Sequence, residues 1–210
     1  MGIADSLRAE LFGATTKTPP FGLLLPQGWA KQPADLDALR DQVHAVMGRS
    51  PGVDAIRMRA SVDAILAQAA DDADTQARER MIASVSQVDV PVEDFVPMSM
   101  ALAWVEAPAG SALTSMAKQL ISDRGAAPLD DRGTILRWVD RVDHPVDGGT
   151  VHTVQPTYLI RVPHAPDTAL MIRTTILDGG NGEHAAEHDV QAMTLLSDGI
   201  VATFRWRNDA

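Results

Sequence analysis

Length, composition and charge restrict the classes of protein to which this chain can belong. It has 210 residues, no cysteine and a formal charge of −10, with 28 acidic against 18 basic residues. A chain of this length can bury roughly 70% of its unfolded surface in one domain, so its stability requires neither disulfides nor a metal ion. The missing cysteines exclude disulfide frameworks and thiol catalysis, and the lack of any basic run argues against nucleic-acid partners.

Two further expectations concern location. No apolar run approaches the ~20 residues that a transmembrane helix needs, so we predict no membrane insertion. The first residues lack the basic and continuous apolar regions of a signal peptide, which predicts a cytoplasmic protein. The absence of cysteine is compatible with that compartment.

The N-terminal third predicts a helical arm, a strand and a pair of helices. Apolar residues at helical spacing favour the arm over residues 1–18, and a strand is expected over residues 21–25. The sequence PQGW at 26–29 then predicts a turn. Residues 34–74 predict two amphipathic helices, the second of which starts at Ser50-Pro51. The acidic run at 71–74 lacks calcium-loop spacing and indicates a solvated helix end.

The middle of the chain predicts strands around one helix. Residues 76–88 fit either a strand or a continued helix, and the alternation leaves both open. Residues 96–105 alternate apolar and small side chains, which predicts a central strand with Trp104 in the main core. Leu113, Met116 and Leu120 have helical spacing, and Gly125 is placed to end that helix. A further strand is predicted over 134–142.

The C-terminal segment, residues 151–207, predicts a hairpin, a helix and a short terminal strand. Two alternating runs, at 151–163 and 168–177, are joined by a short polar turn, which favours antiparallel pairing. Helices grouped between long antiparallel strands indicate an α+β class rather than repeated βαβ units. We therefore predict a single α+β domain over residues 1–210, an antiparallel sheet flanked by helices.

Two segments resemble a known fold group. The opening FGLLLPQGW, with its P-x-G-W turn, and the closing helix that runs into GIVATFRW resemble uncharacterised bacterial proteins of the PsbP-like fold group. The resemblance implies an antiparallel sheet flanked by helices. It also implies an accessory, chaperone-like or partner-binding role rather than an enzymatic one, and it carries no catalytic residue over to this chain.

One motif suggests chemistry. His184, Glu187 and His188 form the pattern H-x-x-E-H, in which two histidines on one helix hold zinc and the glutamate acts as general base. A catalytic zinc needs a third protein ligand, and no glutamate follows His188. Asp178 could supply that ligand from upstream. The alternative interpretation is an exposed helix start that favours the helix dipole, with both histidines accessible and no metal bound.

Two functional hypotheses result. The first is a non-enzymatic accessory or interaction module that binds a protein partner or forms a homodimer, with no cofactor. The helical pair predicted over residues 35–72 is longer than one sheet needs, and Met47, Met58 and Met81 near it suit an adaptable surface. The second hypothesis is a metal-dependent hydrolase built on His184 and His188. The sequence specifies no small-molecule ligand.

Overall fold

A computed structural model describes residues 19–33, 81–88, 90–91, 94–107, 112–146, 149–180 and 183–207. The predicted helical arm at 1–18 and the predicted helical pair at 34–74 lie outside these described residues. Inside them the chain forms ten strands and two helices. No described helix has the length and apolar character needed to cross a membrane.

The strands and helices alternate irregularly along the chain. The strands are β1 (Phe21–Gly22), β2 (Trp29–Pro33), β3 (Met81–Gln87), β4 (Met98–Glu106), β5 (Ala127–Pro128), β6 (Ile135–Val146), β7 (Gly149–Arg161), β8 (Thr168–Gly180), β9 (Glu183–His184) and β10 (Arg205–Trp206). The helices are α1 (Leu113–Arg124) and α2 (Glu187–Ala202).

An eight-stranded sheet forms the body of the fold. Its order is β2-β3-β4-β8-β7-β6-β5, and β9 pairs with the far end of β8. Every neighbouring pair is antiparallel. The predicted antiparallel hairpin is therefore confirmed as β7 and β8, and the α+β class with an antiparallel sheet is confirmed as well. A separate two-stranded ribbon pairs β1 with β10, also antiparallel.

The two helices are associated with separate hydrophobic clusters of the sheet. α2 packs with the larger cluster, which contains Tyr158, Ile160, Ile172 and Met100, all nearly inaccessible to solvent. α1 contributes Leu113 to a smaller cluster with Trp138 and Leu159. Because Leu159 lies between Tyr158 and Ile160 in β7, strand alternation places the two clusters on opposite faces of the sheet.

The ends of α1 and α2 follow from local sequence. α1 ends at Gly125, whose φ of 64° places it in the left-handed region and whose N–H donates to the carbonyl of Leu120, as predicted. α2 starts at Glu187 with Glu187 and Asp189 in its first turn, where carboxylates favour the positive end of the helix dipole.

The structure differs from several local expectations. Residues 81–87 are strand, which answers the strand-or-helix question for that part of 76–88, and residues 76–80 lie outside the described range. The strand expected over 21–25 is only Phe21–Gly22, and strand β2 after the turn was not predicted. Trp104 is partly buried at one end of β4 rather than in the main core.

Candidate functional site

The predicted H-x-x-E-H helix is absent from the structure. His184 belongs to β9, where it pairs with Gly179, and the backbone stays extended at Ala186 before α2 begins. His188 lies in the first turn of α2, with its Nε2 3.2 Å from Asp189 Oδ1. The two imidazoles are therefore not carried one turn apart on a single helix, so the structure does not support the zinc-peptidase arrangement of the alternative hypothesis.

His184 meets Asp178 instead. Its Nδ1 is 3.2 Å from Asp178 Oδ2, and Arg141 Nη1 donates to the same oxygen over 3.2 Å. The Asp178 carboxylate is buried, with 6% of its side chain exposed, so both contacts offset its loss of solvation. Of the four residues considered for a metal, His184 and Asp178 lie together, whereas Glu187 and His188 are exposed on the helix.

Two more histidines adjoin this group. The His152 ring lies 4.5 Å from the His184 ring, and its Nδ1 is 2.7 Å from Asp143 Oδ1. His144 Nε2 is 3.0 Å from Thr153 Oγ1, and burial lowers the pKa of His144 although Asp143 opposes this. No three described His, Asp or Glu side chains converge to hold a metal ion. The hydrolase hypothesis thus has no assembled ligand set in the described part of the chain.

A second candidate site is an aromatic cluster formed by Phe21, Trp104, Phe204 and Trp206. The Phe21 and Phe204 rings stack at 5.5 Å, and the Trp104 and Trp206 rings stack at 6.3 Å. Edge contacts of 6.1 Å and 6.4 Å join Phe21 to the two tryptophans. Phe204 is buried, but the other three rings remain partly exposed.

The ribbon of β1 and β10 holds this cluster in place. Trp206 Nε1 donates to the carbonyl of Arg161, and the N–H of Arg207 donates to the carbonyl of Pro20. Just beyond β1, the N–H of Leu24 donates to Thr203 Oγ1 over 2.9 Å. The backbone around the cluster is therefore tied to both the sheet and the end of α2.

The opposite side of this ribbon faces solvent. Phe21 pairs with Trp206 and Gly22 pairs with Arg205, so alternation directs Gly22 and Arg205 away from the cluster. The Arg207 guanidinium lies over Gly22, 3.4 Å from where a Cβ would stand. Leu24, which continues the same alternation, is 74% exposed. We call Gly22, Leu24, Arg205 and Arg207 the ribbon face.

A buried polar network fastens α2 to the sheet. The Tyr158 hydroxyl donates to Asp198 Oδ1 and is 2.7 Å from Ser197 Oγ, which is in turn 2.6 Å from Thr174 Oγ1. Arg137 Nε donates to Asp198 Oδ1 over 2.8 Å. Burial raises the pKa of Tyr158 well above its ordinary range. These groups are all partnered, which indicates a structural rather than a catalytic use.

The aromatic cluster was not found from the sequence. Trp104, Phe204 and Trp206 were each placed on predicted strands, and Phe21 opened another. What was missing was the pairing of β1 with β10, which brings the two ends of the described chain together. The signal in the sequence was a pair of short aromatic segments, Phe21-Gly22 and Arg205-Trp206, for which no strand partner had been identified.

Resemblance to known proteins is confined to structure. No protein family and no curated protein matches the sequence. A mutant of the protein Mog1 is 14% identical over 67% of this chain and 86% of its own, with a TM-score of 0.40. The Ran-binding protein Mog1p of Saccharomyces cerevisiae is 15% identical over 66% of this chain and 84% of its own, with a TM-score of 0.37. Similarity this low carries no inference about activity or partners.

Proposed function

We propose that this protein is a non-enzymatic accessory module that binds a protein partner through the ribbon face. The observation that carries the proposal is the exposure of Leu24, 74%, on backbone that is hydrogen-bonded to Thr203. An isolated exposed leucine is ordinary on a protein surface. Here it belongs to the same ribbon face as two exposed arginines, and Arg is enriched in protein interfaces.

A fixed backbone also favours binding. Association costs free energy when loops and side chains must be ordered. The ribbon already has its backbone hydrogen bonds to Pro20, Arg161 and Thr203, and its aromatic rings are packed on one another. Less ordering therefore remains for the moment of binding. By comparison, the histidine group near Asp178 offers no assembled set of metal ligands among the described residues, so the interaction role is the better supported of the two hypotheses.

Site-specific crosslinking tests this proposal. A photoreactive phenylalanine analogue is introduced at Leu24 and, as a matched control, at Leu195, which is 62% exposed on α2. We expect a discrete protein adduct from position 24 and none of that size from position 195. The purified adduct partner should then bind the native chain, lose binding to the Leu24→Asp variant and keep binding to Leu195→Asp.

The variants must be folded for this comparison to be valid. Because both leucines are exposed, each substitution should change the free energy of unfolding by no more than ~0.5 kcal/mol. Equal adducts at both positions, or a partner that binds Leu24→Asp as tightly as the native chain, would contradict the proposed function.

Three finer expectations stay predictions. They are membership of the PsbP-like fold group, a chaperone-like role within the accessory class, and a cytoplasmic location. Self-association through the predicted helical pair at 35–72 has no support among the described residues, since that segment lies outside them.

A further inference from the structure

We infer that the partner presents acidic side chains next to an apolar residue, with Arg205 and Arg207 receiving the carboxylates and Leu24 the apolar group. This inference rests on the proposed function, because it names the chemistry of the partner for the same ribbon face. It depends on three observations: cations that pair with no described carboxylate, restrained guanidinium groups, and the net charge of the whole chain.

The arginines of the ribbon face differ from three other arginines of the chain. Arg124, Arg137 and Arg141 each form an ion pair with an aspartate, at 2.7, 2.8 and 3.2 Å. Arg205 and Arg207 are exposed and pair with no carboxylate among the described residues. Two adjacent cations without a counter-charge leave a local positive potential beside exposed Leu24.

Their guanidinium groups are already restrained. Arg205 Nη1 donates to the carbonyls of Ala202 and Phe204, at 3.1 and 2.5 Å, which leaves its other N–H groups directed elsewhere. Arg207 rests on Gly22, where the missing side chain makes room for its Nε and Nη2. A guanidinium has five donors and suits a carboxylate in two-point contact, and prior restraint lowers the entropy lost on binding.

Charge complementarity selects the partner. The whole chain carries −10, so a positive patch on it is a local exception that would orient an acidic segment toward the ribbon. Lys31 Nζ lies 4.6 Å from the Phe21 ring centre, on the cluster side of β1, and is not part of the ribbon face. A long polyanion such as nucleic acid would be repelled by the net negative charge of the remaining surface.

Selection from random peptides tests the inference without knowledge of the natural partner. A displayed library of short random peptides is selected against the biotinylated full chain, and enriched peptides are synthesised for fluorescence anisotropy. We expect enrichment of Asp or Glu beside Leu, Phe or Trp. Binding should weaken between about 50 mM and about 500 mM salt, because screening shortens the reach of surface charges.

Charge reversal identifies the receiving residues. The double variant Arg205→Glu with Arg207→Glu should raise the peptide Kd at least about tenfold. The control Lys118→Glu with Arg132→Glu makes the same charge change on exposed residues of α1 and the turn before β6, and it should change Kd less than about twofold. If the reversal destabilises the end of α2, Arg205→Gln with Arg207→Gln gives the same test with a smaller expected loss.

The outcomes separate this inference from the proposed function. Peptides without acidic preference that bind the native chain but not Leu24→Asp would overturn the inference and leave the proposed function standing. A single-stranded oligonucleotide that binds more tightly than any peptide, in a way that needs Arg205 and Arg207, would overturn both the inference and the proposed function. If light scattering shows a dimer that Leu24→Asp abolishes, the occupant is a second copy, which would overturn the inference and leave the proposed function standing. Selected peptides that are all indifferent to Leu24→Asp would overturn both.

Discussion

The buried hydroxyl of Tyr158 makes a specific prediction about stability. Tyr158 is fully buried, and its hydroxyl lies between Ser197 and Asp198 of α2. Since the Asp198 carboxylate accepts from both Arg137 and Tyr158, the hydroxyl must accept from Ser197, which in turn accepts from Thr174. Tyr158→Phe removes the middle of this directed chain and leaves the ring in place.

The magnitude follows from what the hydroxyl contacts. A hydrogen bond to a charged group contributes about 1.5–3 kcal/mol, and one between neutral groups contributes about 1 kcal/mol. After the change Ser197 still bonds Thr174, and Asp198 still bonds Arg137, so neither is left without a partner. We expect Tyr158→Phe to lower the free energy of unfolding by about 2–3 kcal/mol, a large part of the roughly 5–15 kcal/mol typical of a domain.

Urea unfolding followed by tryptophan fluorescence measures this change. The midpoint should fall by about 1 M with an unchanged m-value. Thr194→Val is the matched control, since its hydroxyl on the same helix bonds only the carbonyl of Val190, and it should cost less than about 1 kcal/mol. A loss for Tyr158→Phe no larger than that of Thr194→Val would refute the role of the network.

The same group predicts a dependence on high pH. Burial raises the pKa of Tyr158 above its ordinary value of 10.0, so the unfolded chain releases this proton at a lower pH than the folded chain. The stability that the protonated Tyr158 hydroxyl contributes is fully present below pH 10 and is lost as the pH rises above 10 toward the pKa of the folded state. The native chain should therefore lose stability faster than Tyr158→Phe as the pH rises. Tyr158 is the single tyrosine, so tyrosinate absorbance should appear only as the chain unfolds.

Three further predictions concern glycines and a histidine. Gly199→Ala in α2, where nothing lies within 4 Å of an added Cβ, should raise the free energy of unfolding by about 0.5–1 kcal/mol in urea titrations. Gly179→Ala should lower the free energy of unfolding clearly more than Gly133→Ala does. The φ angle is positive at both glycines, but only at Gly179 would an added Cβ meet the carbonyl of Glu183, so equal losses would contradict that contact. The His144 imidazole should titrate by NMR below its ordinary value of 6.5, because its pKa is lowered by burial, and its share of stability should therefore decline as the pH falls through and below 6.5.

The long strands were predictable because their side chains alternate. In β7, Tyr158 and Ile160 face the cluster under α2 while Leu159 faces the other, and the short polar turn before β8 requires antiparallel pairing. The helix α1 was equally predictable, because the spacing of its apolar residues and the glycine at its end both indicate the same helix. Here local sequence and tertiary contacts favour the same conformation.

The short strands and the sites were harder to predict. β1, β5, β9 and β10 have two residues each, too few for any periodicity to appear. The prediction of a helix at His184 was wrong because Glu183 and His184 pair with the end of β8, so the backbone stays extended until α2 starts at Glu187. Contacts between distant segments decide these positions, and a local pattern does not contain them.

The ribbon has a consequence for the order in which the protein is completed during synthesis. Its strands come from opposite ends of the described chain, and the bond between Leu24 and Thr203 spans 179 residues. A ribosome therefore releases β1 long before its partner β10 is synthesised. Until then Phe21 and Trp104 lack the rings of Phe204 and Trp206 on which they stack. A chain truncated before residue 204 keeps all strands of the large sheet but has no ribbon. The exposed rings then mark an unfinished chain, of the kind that chaperones and proteases recognise by exposed apolar surface.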